Sequence, residues 1–150
     1  MPPEWHPSVR LRSWPLGRLG SIHDVEGFDF VHRETVRFRD VDSMGHVNNA
    51  VFLTYLEDAR IAYLLPFGAE VTNMILARVE IDFRAPLRIG DEIEIGVRPA
   101  GVGTKSFELE YEVRSADTVA AEAKTVIVSF DYESGRSVEV PQAWREALAA

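Results

Sequence analysis

Residues 49–65 read NAVFLTYLEDARIAYLL. The run is rich in helix formers, and its apolar residues cover most faces of a 3.6-residue period, leaving Thr54, Glu57 and Asp58 as a narrow polar stripe. A helix apolar on so many sides needs cover from more than one direction. At ~1.5 Å per residue it extends about 25 Å, long enough for a curved sheet to wrap around it. Pro66 and Gly68 end it.

The flanking sequence supplies the strands. Upstream, FDFVHRETVRF at 28–38 places apolar residues at 28, 30, 36 and 38, the period of two expected of a strand with one covered face. Downstream, MILARVEIDFR at 74–84 sets Val79, Ile81 and Phe83 against Arg78, Glu80, Asp82 and Arg84. Three more alternating runs follow at about 91–99, 105–115 and 119–132, and a short helix is expected after Pro141, around Trp144 to Leu148. The joins are short, which favours antiparallel neighbours because parallel strands need a long crossover. The order predicts an α+β fold, a curved antiparallel sheet of about five strands around a long central helix. Such a sheet exposes an edge, so a homodimer is expected. Residues 28–150 form the domain. Residues 1–27, with four of the eight prolines and both Trp5 and Trp14, read as an irregular arm.

Composition narrows the function. With 46% hydrophobic and 27% charged residues the chain is ordinarily globular. A formal charge of −8 repels the phosphates that a nucleic-acid binder must neutralise. The absence of cysteine removes disulfides, thiolate metal sites and cysteine nucleophiles, and it fits a reducing compartment, so a cytoplasmic location is expected. No stretch approaches the ~20 apolar residues of a membrane span, and the N-terminus lacks the apolar core of a signal peptide.

The candidate chemistry lies between the first strand and the helix, in Arg39-Asp40-Val41-Asp42-Ser43-Met44-Gly45-His46-Val47-Asn48-Asn49. A calcium loop is ruled out because Met44 and Val51 stand where oxygen ligands belong. An aspartyl-phosphate hydrolase needs a parallel sheet and a longer chain. The GVGTKS run at 101–106 lacks the spacing and the following helix of a phosphate loop. What remains is a carboxylate in a tight loop that leads into the N-terminus of an enclosed helix. That terminus offers unpaired N–H groups and a positive partial charge, which can hold developing negative charge on a carbonyl oxygen. A carboxylate beside it can act as general base or as nucleophile, which is equipment for acyl transfer. A thiol, with a pKa of about 8.5, leaves without the strong acid that an amine demands, so this equipment permits thioesters.

The stretch VRFRDVDSMGHVNNAVFLTYLEDAR at 36–60, with its Asp-x-Asp, Gly-His-Val-Asn-Asn and Glu-x-Ala-Arg, resembles the signature of hotdog-fold acyl thioesterases. This group includes 4-hydroxybenzoyl-CoA thioesterase and the plant acyl-carrier-protein thioesterases. IDFRAPLRIGDEIEI at 81–95 looks like that family's second strand and turn, and the resemblance spans about 30–135. It implies a hotdog fold and hydrolysis of an acyl-CoA or acyl-carrier-protein thioester without metal or cofactor. It also implies a homodimer, or a dimer of dimers, with the acyl group between subunits. It puts the family's catalytic aspartate at Asp42 and the amide that holds the thioester oxygen near Asn49. In other branches the working carboxylate is a helix glutamate, here Glu57, or a strand glutamate, here Glu80. The asparagine found two residues after the aspartate in the plant branch is Met44 here. His46, Asn48, Val51 and Arg39 are further candidates for the site, His46 beside Asp42 and the others toward substrate. Each residue also has a bland reading. Asp42 could be a turn aspartate, His46 a loop brace, Asn48 and Asn49 helix caps, Glu57 a partner for Arg60, and Glu80 a solvated strand residue. Two rivals to hydrolysis are a dehydratase using His46 and a non-catalytic acyl-CoA-binding dimer.

Overall fold

The computed structural model describes residues 25–68 and 73–149. Five strands, β1 (Phe30–Thr35), β2 (Met74–Phe83), β3 (Glu92–Val102), β4 (Ser106–Ser115) and β5 (Thr118–Asp131), form one antiparallel sheet in the order β1-β3-β4-β5-β2. A two-residue β6 (Arg136–Ser137) pairs with β5. Helix α1 (Val51–Leu64) follows β1, and α2 (Gln142–Ala149) ends the described chain.

Alternation decides the faces. Ile93, Ile95 and Val97 of β3, Phe107, Leu109, Tyr111 and Val113 of β4, and Ala121, Ala123, Thr125 and Ile127 of β5 are buried on the inner face against the helices. The intervening residues point outward and are mostly charged, with cross-strand pairs such as Arg98–Glu110 at 2.8 Å and Lys124–Glu108 at 2.7 Å. On that outer face Phe28 lies so close to Gly96 that a Cβ there would stand 2.6 Å from its ring, and the Arg98 guanidinium stacks 4.7 Å above the same ring.

Helix α1 buries Phe52, Tyr55, Leu56, Ala59 and Leu64 and packs chiefly on β1 and β3. Within one chain the helix is therefore covered on one side and not all round, and Leu53, Thr54 and Glu57 stay exposed. β2 is the sheet's outermost strand beyond β5, and its Leu76 and Phe83 are 38% and 47% exposed. At the far side Trp144 and Leu148, one helical turn apart in α2, bury against the core, with Trp144 edge-on to Phe107 at 6.1 Å. Among the described residues no helix is long and apolar enough to cross a membrane.

Strand one is shorter than its pattern suggests. The chain leaves the strand after Thr35 and enters a 3-10 turn at Phe38–Asp40, so Phe38 is 81% exposed although it follows the apolar parity. The cause is local: the Asp40 carboxylate accepts the Arg37 N–H at 2.8 Å and stabilises the turn over further strand. The expectation for residues 1–24, including Trp5 and Trp14, lies outside the described residues.

Candidate active site in the loop between β1 and α1

Residues 41–47 form a miniature hairpin closed by a bridge between Val41 and Val47. The Asp42 N–H donates to the His46 carbonyl at 2.8 Å, and the Gly45 N–H donates to the Asp42 carbonyl at 3.0 Å. Gly45 has φ +78°, a conformation that L side chains rarely adopt, so glycine is required for the turn. The base is pinned to the core, because Val47 is buried and its N–H donates to the Leu87 carbonyl at 2.8 Å.

Asp42 stands exposed on this hairpin, and Oδ1 accepts the N–H of Met44 at 2.9 Å and of His46 at 3.4 Å. Oδ2 has no hydrogen bond among the described residues. One oxygen thus serves the turn while the other faces outward. His46 is half-buried beside it.

The helix start differs in detail from the expected cap. The N-cap is Ala50, without a side-chain cap bond, while the Asn48 side chain accepts the Ala50 N–H at 2.9 Å and its carbonyl accepts the Val51 N–H at 2.9 Å. Asn48 organises the turn into the helix, and the exposed Asn49 keeps an amide with no acceptor among the described residues. An N–H beside a helix N-terminus can hold developing negative charge. Val51, half-buried, opens α1. Arg39 is exposed on the 3-10 turn and has no ion pair among the described residues.

Glu57 lies two turns further along, about 12 Å of helix from Asn49. It shares the exposed flank with Leu53 and Thr54, and its carboxylate lies 3.6 Å from the buried Arg60 guanidinium. Glu80 is elsewhere. Its neighbours Val79 and Ile81 pack against the core, so Glu80 projects from the outer face of the sheet, paired with Arg78. The structure brings Arg39, Asp42, His46, Asn48, Asn49 and Val51 together, places Glu57 down the same flank, and puts Glu80 on the opposite face. Among the described residues no group of three or more His, Asp or Glu could hold a metal ion.

Beneath the loop is a polar network that the sequence pattern does not single out. Asp40, 5% exposed, accepts the Tyr55 hydroxyl at 2.9 Å, and burial together with this carboxylate pushes the Tyr55 phenol well above the ordinary tyrosine range. Arg37 lies 3.3 Å from Glu34, and Glu34 in turn meets His32 at 3.1 Å and Asp58 of α1. A signal exists: His32 and Glu34 share the parity of Phe30 in β1, so the covered face of that strand carries two ionisable groups.

The bond to His32 holds the Glu34 carboxyl below its ordinary value, whereas burial, then the charge of Glu34, raises Asp58 above 3.8. A carboxyl raised in the fold binds more protons folded than unfolded, so Asp58 costs stability as pH rises from 3.8 through its folded pKa. Asp58→Asn removes that cost and can still donate to Glu34. The melting temperature of the variant relative to the native chain is therefore expected to climb as pH rises through that window, by a few degrees. A difference in melting temperature that does not depend on pH would contradict the account.

The comparisons identify the family. The model of the thioesterase-like superfamily matches residues 36–148. A 1,4-dihydroxy-2-naphthoyl-CoA hydrolase of Nostoc punctiforme is 30% identical over 120 residues, 75% of this chain and 81% of the relative. Among solved structures, a thioesterase of Thermus thermophilus complexed with coenzyme A and zinc is 40% identical with a TM-score of 0.76, over 82% of this chain and 93% of that one. A Synechocystis 1,4-dihydroxy-2-naphthoyl-CoA thioesterase, 24% identical with a TM-score of 0.73 over 80% of this chain and 95% of its own, shares the fold. The chain belongs to the thioesterase-like superfamily, as a hotdog-fold enzyme of the thioester-hydrolysing class.

Proposed function

We propose that this chain hydrolyses an acyl-CoA thioester to a carboxylic acid and free coenzyme A, with Asp42 as the working carboxylate and the Asn49 amide as the oxyanion donor. The observation that carries the reading is that one short, core-pinned hairpin presents an outward carboxylate oxygen and leads directly to an amide at a helix start that has no acceptor among the described residues. In the general-base form, Asp42 takes a proton from water and the hydroxide adds to the carbonyl carbon. The oxyanion accepts the Asn49 N–H, and collapse breaks the C–S bond to release thiolate. In the nucleophilic form, Asp42 attacks first and water cleaves the resulting anhydride. The unit proposed to carry this chemistry is the domain of residues 28–150.

The exposed β2 edge, with Leu76 and Phe83, supports a homodimer in which the partner covers the uncovered flank of α1 and the acyl group lies between subunits. Phe38 and Met44, 81% and 80% exposed on either side of Asp42, are apolar surface awaiting such cover. Sedimentation should show a dimer, and Leu76→Asp should shift it toward monomer. A monomeric native chain would overturn the shared site.

The Nostoc relative acts on an aromatic acyl group, so aryl-CoAs belong in the substrate panel beside short and long aliphatic ones. Thiol release from any of them, read with a thiol-reactive dye, supports the proposal, and none from all of them would leave acyl binding without turnover. Arg39, exposed and without an ion pair among the described residues, is the proposed partner of the coenzyme's phosphates. Arg39→Ala should raise KM for acyl-CoA about five- to tenfold at unchanged kcat, yet leave hydrolysis of an acyl-pantetheine, which lacks the nucleotide, unaffected. An equal loss on both substrates would remove Arg39 from coenzyme binding.

A further inference from the structure

We propose that Asp40 is a positioning residue. It clamps the Asp42 hairpin to helix α1 and so fixes the proposed carboxylate relative to the Asn49 amide, an inference that rests on the hydrolase reading above.

The first aspartate of Asp-x-Asp is buried while the second is exposed, so the two do different work. Asp40 Oδ2 receives the Tyr55 hydroxyl at 2.9 Å and the Arg37 N–H at 2.8 Å, with the Arg37 guanidinium 3.7 Å away. The Asp40 carbonyl receives the Asn48 N–H at 2.9 Å. One residue therefore ties the hairpin's entry to α1 through its side chain and the hairpin's exit through its backbone. Everything between these two ties is the loop that carries Asp42, and Asn49 follows the second tie directly.

Tyr55 is fully buried in α1. Its hydroxyl reaches the loop across fifteen positions of sequence. A buried carboxylate is costly unless its hydrogen bonds are met, so the arrangement of Tyr55, Arg37 and Asp40 has few alternatives once α1 is packed. The geometry of the two reacting groups follows from it, and displacements of an ångström at such groups cost up to about 100-fold in rate.

Three variants separate positioning from bulk stability. Tyr55→Phe removes the tie to the helix alone. Asp40→Ala removes every side-chain tie. Asp40→Asn keeps an oxygen able to accept both N–H and O–H. With rates normalised to the folded fraction, kcat for thiol release is expected to fall about 10-fold in Tyr55→Phe and about 100-fold in Asp40→Ala, with KM within about twofold, whereas Asp40→Asn stays within about threefold of native. Hydrogen exchange at the Met44, Gly45 and Asn48 amides, followed in parallel, should quicken at least about 10-fold in Tyr55→Phe. Faster exchange with no thiol release even from the native chain would overturn the hydrolase reading and leave the clamp standing. A native-like kcat in Tyr55→Phe and Asp40→Ala, a loss confined to KM, or unchanged exchange would overturn the clamp.

Discussion

Asp42→Asn is expected to lower thiol release at least ~100-fold, about 2.7 kcal/mol of barrier. The substitution is chosen because the side-chain oxygen that holds the turn is retained. An asparagine Oδ1 can still accept the Met44 and His46 amides, so the hairpin and its Val41–Val47 bridge persist. What disappears is the basicity and nucleophilicity of the outward position, where Oδ2 becomes an amide nitrogen. A general base and a nucleophile are both abolished by that exchange, so the expected loss does not depend on which form operates. A loss of rate with a native melting temperature assigns the effect to chemistry. Release unaffected by the variant would transfer the carboxylate's role to Glu57, which shares the exposed flank of α1 with Asn49. Glu80, on the outer face, could take it only through a surface this chain does not bring to the loop.

Phe107→Ala is expected to destabilise the fold by about 3–5 kcal/mol. Phe107 is 1% exposed in the central strand β4 and meets Trp144 edge-on at 6.1 Å. Truncation leaves a cavity between sheet and α2 that strands paired on both sides cannot collapse to fill, and it removes the ring against which α2 is seated. Chemical denaturation read by circular dichroism gives the loss, and faster hydrogen exchange at the α2 amides should report the loosened helix. A cost below about 1.5 kcal/mol would mean that α2 repacks without its aromatic contact.

The clearest expectations from sequence concern short-range pattern. The helix expected at 49–65 spans Val51–Leu64, and the strand expected at 119–132 spans Thr118–Asp131. Both have periodicities set by neighbouring residues. The strand expected at 91–99 runs to Val102, because a bulge between Pro99 and Gly101 resets the register against β4 and lets pairing continue, a feature that alternation does not reveal. The pattern of strand one overruns its true end because parity cannot register the Asp40 side chain that turns the chain after Arg37.

The site is half legible. Asp42, His46, Asn48 and Asn49 lie within eight consecutive positions, so their proximity needs no fold to establish it. Asp40 escapes a reading by pattern because its burial depends on Tyr55, which meets it only once α1 folds back over the loop. Arg60 enters the sequence reading as the end of the Glu-x-Ala-Arg motif and as a partner for Glu57. Besides lying 3.6 Å from Glu57, its guanidinium is buried near the Tyr111 hydroxyl, which itself meets Thr125 at 3.0 Å, and these residues come from α1, β4 and β5.

By itself the sequence determined that this is an α+β chain with an antiparallel sheet and that a carboxylate loop runs into a helix start, since both follow from spacing within a few residues. Only the tertiary structure decided which carboxylates share a surface. Glu80 and Asp42 are equally acidic in the sequence, yet strand pleat and sheet order turn one outward and leave the other at the helix start. Burial, too, was decided there, because a side chain is covered by residues distant along the chain, and no local period encodes which of two neighbouring aspartates a buried tyrosine will reach.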